Sequence, residues 1–243
     1  MARDDPAGAR LRRCGPGIRL VLDDGTRVNV LREERVAALA ELVDRLARPG
    51  GPCWLIIEGN RHGSFAAGAD LRQIGSLSPL AARRLARTGR DLLDRLASLP
   101  CPVGCLVDGH AVGGGFDLAL AGDVLAATDR SWFAHPGLER GFFTGWGGTS
   151  RVPLAGRRRT GHDALLAARR LRADAAERAG MLAVRAPDRD RARRRLRRLL
   201  DRLARWPAPA LDAWRRLRWG TPSGPLLETL WRLARVDTPE PRC

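Results

Sequence analysis

The chain of 243 residues contains no lysine and no tyrosine, so each of its 43 basic residues is an arginine. Without lysine there is no phosphate-binding loop of the GxxxxGK[ST] type, no Schiff-base amine and no pyridoxal-phosphate anchor. Cysteines are few, with five (Cys14, Cys53, Cys101, Cys105, Cys243) spread along the chain. An odd, scattered set does not build a disulfide scaffold. The four histidines (His62, His110, His135, His162) form neither HExxH nor a facing pair, and Cys101 and Cys105 have no second pair to complete a metal site. The two thiols read instead as small apolar residues of a strand. No apolar run approaches the roughly 18 residues of a membrane span. Asp4 and Asp5 occupy positions where a signal peptide needs an apolar core, so a cytoplasmic protein is expected.

Hydrophobic residues make up 44% and charged residues 29%, which supports one soluble domain with a sizeable core. The formal charge is +16. With arginine its sole source and alanine, glycine and leucine abundant, it reflects GC-rich codons before it reflects a nucleic-acid partner, although a basic surface favours a phosphate-bearing ligand. The arginine-dense stretch Asp188 to Arg205 keeps the apolar stripe Ala192, Leu196, Leu199, Leu200 and Leu203, so a solvated helical face explains it and nucleic-acid binding is not expected.

Short apolar runs alternate with amphipathic stretches, the pattern of an α/β fold. Gly17 to Leu22 and Arg27 to Leu31 read as a hairpin around Asp23-Asp24-Gly25. Glu33 to Arg48 and Pro79 to Leu99 read as helices, and Cys53 to Glu58 and Pro102 to Val107 as buried strands. From Thr160 onward the pattern is almost wholly helical, with helices at Asp188 to Trp206, Pro207 to Trp219 and Pro225 to Val236. This divides the chain into a core over 1–187 and a C-terminal helical region over 188–243 of the same functional domain. Trp214, Trp219 and Trp231 on the last helices fit either a subunit interface or lid, or packing on the parent domain.

Two segments carry chemistry: Gly63-Ser-Phe-Ala-Ala-Gly-Ala-Asp-Leu71 and Asp108-Gly-His-Ala-Val-Gly-Gly-Gly-Phe-Asp117, each a small-residue turn between a strand and a helix. Small side chains let a ligand reach the main chain, and free N–H groups at a helix start favour anionic oxygen. Two such turns side by side hold one oxyanion between two amides.

These segments, with Ile56-Ile-Glu-Gly59, Leu99-Pro-Cys-Pro102, Ala121-Gly-Asp-Val124, Phe133-Ala-His-Pro136, Gly147-Gly-Thr149 and Arg172 to Gly180, resemble the crotonase superfamily of enoyl-CoA hydratases and isomerases from about Gly17 to Trp219. The resemblance implies a spiral of ββα units, a homotrimer or hexamer assembled through the C-terminal helices, an acyl-CoA or acyl-carrier thioester as substrate and no tightly bound cofactor. It places the oxyanion hole at the N–H groups of Ala69 and Gly114, flanked by Gly68, Asp70 and Gly113. It gives the adenine amino group the Ala67 carbonyl, and puts Arg72 where the family often has a lysine near the phosphates.

The resemblance breaks at the two glutamates with which hydratases of the family split water. Asp117 stands at the first position and Gly137 at the second, so two-carboxylate hydration is not expected. Asp117 is the acid or base that remains, with His135 and Glu139 as candidates to replace the missing carboxylate in the substrate pocket. The stretch Gly141 to Gly148, with Thr144 and Trp146, is similar to that of the naphthoate synthases, which also lack the second glutamate. The implied function is a lyase or isomerase of acyl-CoA metabolism working through a stabilised enolate. The alternative is a catalytically silent crotonase-fold binding or accessory protein, favoured by Gly137.

Overall fold

Runs such as Val103-Gly-Cys-Leu-Val107 and Val124-Leu-Ala-Ala-Thr128 are apolar on both alternating faces, as strands of a parallel sheet covered on both sides must be. A computed structural model describes residues 8–60, 62–75, 77–156, 161–163, 168 and 170–218. Its first sheet has the order β1 (Ala9–Cys14), β2 (Gly17–Leu22), β3 (Leu55–Gly59), β5 (Val103–Val107), β7 (Val124–Thr128) and β10 (Val184–Ala186). All neighbours are parallel except β1 and β2. A second, smaller sheet has the order β4 (Ser64–Ala66), β6 (His110–Val112), β8 (Trp132–Ala134) and β9 (Leu171–Arg172).

The two sheets grow in step. Each long strand of the first is followed at once by a short strand of the second and then by helix. Thus β3 and β4 lead to α2 (Leu71–Gly75) and α3 (Pro79–Ala97), β5 and β6 to α4 (Gly114–Ala121), and β7 and β8 to α5 (Gly148–Ala155). This is the ββα spiral that the resemblance implied. Its consequence for function is that the β4 and β6 turns stand beside each other, because β4 and β6 pair in parallel.

One face of the first sheet packs on α1 (Glu33–Leu46), α3 and α4 through Leu39, Val43, Leu92, Leu96, Phe116 and Leu120. The other packs on α7 (Arg189–Leu203), whose Leu196 and Leu200 meet Trp54, Ile56, Leu106 and Val124. Burial of each large apolar side chain there contributes about 1.5–3 kcal/mol. Gly104 on β5 makes room for this contact, since a Cβ there would stand 2.9 Å from Leu196. A last helix, α8 (Ala208–Arg218), follows α7, and α6 (Ala173–Arg178) lies between β9 and β10.

Caps agree with sequence at two helix starts. The Ser78 hydroxyl accepts from the Ala81 N–H ahead of α3, with Pro79 in the first turn, and the Asp188 carboxylate accepts from the Arg191 N–H ahead of α7.

Two expectations are corrected. The hairpin partner of Gly17–Leu22 is Ala9–Cys14, turned at Gly15 and Pro16, and Arg27 to Leu31 is no strand. Asp24 accepts from the N–H groups of Thr26 and Val30, and Asn29, at φ +53°, donates its amide to the Leu22 and Phe65 carbonyls. Side-chain oxygens thereby take the amides that a strand would have used. The region after Thr160 is not wholly helical, for β9 extends the second sheet and β10 closes the first. Trp214 lies on α8 beneath the Arg218 guanidinium, while Trp219, Trp231 and the helix expected over 225–236 lie outside the described residues. Among the described residues no helix is long and apolar enough to cross a membrane, and no group of three His, Cys, Asp or Glu could hold a metal ion.

Candidate active site

The β4 turn is shaped by Gly68, whose φ of +82° suits glycine, and whose carbonyl accepts from the Leu31 N–H. A Cβ on Gly68 would stand 2.8 Å from the Gly114 nitrogen, which measures how closely the two turns approach. The β6 turn ends at Gly113 (φ +53°), whose N–H donates to the Ala134 carbonyl and whose own carbonyl accepts from Phe116 and Asp117, starting α4. Ala69 and Gly114 donate to no acceptor among the described residues, and both line one cavity of about 240 Å³. Ala67 and Gly113 line it as well.

Much of the remaining wall is apolar, with Ile74 and Leu77, Ala82, Leu85 and Ala86 of α3, and Phe142, Phe143 and Trp146 of the loop after β8, while Arg140 of the same loop is its charged member. Trp146 is wedged between two glycines, for a Cβ on Gly89 would stand 2.0 Å, and one on Gly114 2.6 Å, from its indole. Its ring N–H donates to the Leu85 carbonyl at 3.3 Å. Phe143 is 64% exposed and lies at the cavity's rim.

Asp117 is fully buried on the first turn of α4 and does not itself line the cavity. One carboxylate oxygen meets His135 Nε2 at 2.8 Å and the other accepts from the Thr144 hydroxyl, which in turn accepts from the Trp146 N–H. His135 and Thr144 do line the cavity. A Cβ on Gly148 would stand 2.1 Å from Asp117 and 2.6 Å from His135, so the three side chains meet only because position 148 is empty. Behind them lies Arg151, bonded to the Trp146 carbonyl at 2.6 Å. Burial lowers its pKa, a shift opposed by the charges of Asp94 and Asp117.

The other expected site residues fall as follows. Gly137 is buried in the wall, and a Cβ there would stand 2.7 Å from the Phe142 carbonyl, so the space of the hydratases' second glutamate is filled by main chain. Glu139 is exposed on a short turn outside the cavity lining. Asp70 is half-buried, 3.5 Å from the Arg32 guanidinium. The Arg72 side chain lies outside the described residues. Burial pushes the Cys101 and Cys105 thiols up to about 12, which leaves them inert; Cys105 lies on β5 as expected, whereas Cys101 falls in the bend before it.

Two features escaped the sequence reading, the emptiness at Gly148 and the seat for Trp146 at Gly89. A glycine inside an amphipathic helix costs up to about 1 kcal/mol against alanine, which was the available signal for Gly89.

A spiral of ββα units with two adjoining amide-bearing turns defines a crotonase-fold protein. The family model for enoyl-CoA hydratase/isomerase matches residues 18–216, and the chain belongs to that family. The fatty acid oxidation complex subunit alpha of Idiomarina loihiensis is 31% identical over 185 residues, 75% of this chain and 26% of that protein. The chain thus spans about a quarter of the length of the curated relatives it matches. Among solved structures, Pseudomonas aeruginosa DspI superposes with a TM-score of 0.85 at 24% identity, covering 96% of each chain. The enoyl-CoA hydratase of Thermoplasma volcanium superposes at 0.84 and 22% identity, covering 96% of this chain and 93% of that one. Both likenesses speak to the fold.

Proposed function

We propose that the protein is an enzyme that binds an acyl-CoA thioester with its carbonyl oxygen between the N–H groups of Ala69 and Gly114 and stabilises the enolate formed there. The observation that carries this reading is the pair of amides, without an acceptor among the described residues, on adjoining turns at the wall of a largely apolar cavity. Charge that develops on the thioester oxygen meets two fixed donors in a site walled by alkyl and aromatic groups, where such donors act most strongly. On this reading the carbonyl of Ala67, which lines the same cavity, takes the adenine amino group, and Arg72 and the arginine-rich surface suit the phosphates. Coenzyme A enters as part of the substrate.

Standard hydration is not the reaction, because the second carboxylate is absent and Phe142 fills its space. A lyase or isomerase reaction with a single proton-transfer group fits the site. Assembly as a trimer or hexamer through the C-terminal helices, where Trp206 and Leu217 are exposed, belongs to the same reading, as does a cytoplasmic location. Light scattering of the purified chain tests the assembly. The silent-protein alternative predicts thioester binding without activation.

The deciding measurement is the carbonyl stretch of bound hexanoyl-CoA carrying ¹³C at C1. The expected result is a shift to lower frequency than in water; a bound thioester with an unshifted carbonyl removes the oxyanion hole. Gly114→Pro deletes one donor at a helix position that tolerates proline, and is expected to reduce turnover on the order of 100-fold or more. Gly114→Ala is its control, since it keeps the N–H and makes the same contact with Trp146.

A further inference from the structure

We propose that His135 is the catalytic base and acid of this site, and that Asp117 and Thr144 are positioning residues that act through it. This rests on the reading of the cavity as an acyl-thioester site and names the group that moves the proton there.

Three observations carry it. First, Asp117 occupies the position from which a carboxylate was expected to act directly, yet it is fully buried, lies behind the cavity wall and has both oxygens engaged. To take a proton from a substrate it would have to abandon His135 or Thr144. Second, His135 stands between that carboxylate and the cavity, with Nε2 at 2.8 Å from Asp117 and the ring forming part of the lining. A carboxylate only accepts, so Nε2 carries the proton in this pair and Nδ1, bonded to no group among the described residues, is left with its lone pair. Third, the arrangement is held from every side. Phe116 of α4 lies 6.1 Å from the imidazole, centroid to centroid, the Gly113–Ala134 hydrogen bond ties the strand before His135 to the start of α4, and the Thr144 hydroxyl fixes the rotation of Asp117. Gly148 keeps open the space in which the three groups meet.

The step is balanced without any further reactant. The Nδ1 lone pair takes a proton from the carbon next to the thioester carbonyl. The C–H electron pair becomes the enolate double bond, and the carbonyl π pair moves to the oxygen held by Ala69 and Gly114. The imidazolium that results is compensated by the Asp117 carboxylate. Return of the proton to the same carbon gives exchange with solvent; return to a carbon two positions further along an unsaturated chain gives a shifted double bond. Asp117 thus does for His135 what a carboxylate behind a catalytic histidine does elsewhere: it selects the tautomer and stabilises the charged ring.

The test uses the full chain and hexanoyl-CoA in deuterium oxide, with deuterium at the α-carbon read by mass spectrometry and the thioester dissociation constant measured beside it. Wild type is expected to exchange, and His135→Gln to lose at least about 100-fold in rate with the dissociation constant unchanged. His135→Ala, judged folded by circular dichroism, is expected to regain part of the exchange with added imidazole, and no more than a trace with an equal concentration of acetate. Asp117→Asn is expected to lower the rate about 10- to 1,000-fold at unchanged affinity, and imidazole is expected to leave it unrescued. Exchange at the wild-type rate in folded His135→Gln overturns the proposal and leaves the oxyanion reading standing. Bound hexanoyl-CoA that exchanges no deuterium in wild type also overturns it. Failure of hexanoyl-CoA to bind at all removes the acyl-thioester reading itself, and the proposal with it.

Discussion

Glycine does as much at this site as any functional group, and at two positions it is the missing side chain that decides the chemistry. Position 148 is the most sensitive, since its Cβ would overlap the Asp117 carboxylate at 2.1 Å. Gly148→Ala is therefore expected to separate Asp117 from His135 and to cut the α-exchange rate by about tenfold or more, as a misplacement of about 1 Å does in oriented catalysis, while leaving thioester affinity within about twofold. Exchange at the wild-type rate in this variant would show that the pair is dispensable. Position 137 makes the opposite point. Gly137→Glu restores the residue type that the hydratases carry, but its Cβ meets the Phe142 carbonyl at 2.7 Å and the Phe142 ring at 3.2 Å. Hydration of crotonyl-CoA is expected to stay at background in that single variant; a gain of activity would mean that the loop yields more easily than its packing implies.

At the scale of elements, α3 and the loop after β8 are one device. Ala82, Leu85, Ala86 and Gly89 share a face of the helix, and the indole of Trp146 lies against Gly89. In Gly89→Ala a helix-propensity gain of up to about 1 kcal/mol opposes an overpacking cost of about 1–3 kcal/mol, because the indole has Gly114 on its other side. A net loss of stability in urea unfolding is expected, relieved in the Gly89→Ala, Trp146→Leu double variant. If the single variant is more stable than wild type, Trp146 is not held as described. The same elements show what sequence can disclose. Helices α1, α3 and α7 were legible because a 3.6-residue apolar period and, for α3 and α7, Ser78 and Asp188 as caps mark them locally. Strand β1 was not, since Ala9–Cys14 is an exposed edge, half of it arginine, whose apolar residues are too few to mark a strand, and Asn29 and Asp24 use side chains to imitate the ladder that a strand over Arg27 to Leu31 would have needed. The two amide-bearing turns could be read from their small residues. The Asp117–His135–Thr144 cluster could not, because it joins three elements whose meeting depends on the close approach at Gly148.

At the scale of the whole molecule, two buried carboxylates tie distant parts of the chain together, and they respond to acid and to mutation in different ways. Asp108, just after β5, meets Thr128, Arg130 and Arg189, the first residue of α7. Burial opposes its ionisation, but the hydrogen bonds from Arg130 and Thr128 and the charge of Arg189 outweigh that and hold its carboxyl below the usual range. A lowered folded pKa means stability that is complete above the ordinary value of 3.8 and is lost as pH falls through the folded one. Asp108→Asn is thus expected to be less stable than wild type by about 1–3 kcal/mol at pH 7, with the gap narrowing in urea melts taken below pH 4; a gap independent of pH would contradict the linkage. Asp123 instead receives a two-pronged bond from Arg215 of α8 at 2.7 and 2.6 Å, while the same guanidinium donates to the Leu99 and Cys101 carbonyls. Both side chains are more than nine-tenths buried, so removal of the cation strands a carboxylate away from water. Arg215→Ala is expected to cost about 3–5 kcal/mol, and Arg215→Ala with Asp123→Ala less than the sum of the two single losses. Because this pair, together with the Arg218 bonds to the Gly122 and Asp123 carbonyls, ties α8 to the segments that lead into β5 and β7, the Arg215→Ala loss should appear as earlier amide exchange along α8 before it appears in β5. Simultaneous exposure of both would show that the last helix and the spiral unfold as one unit.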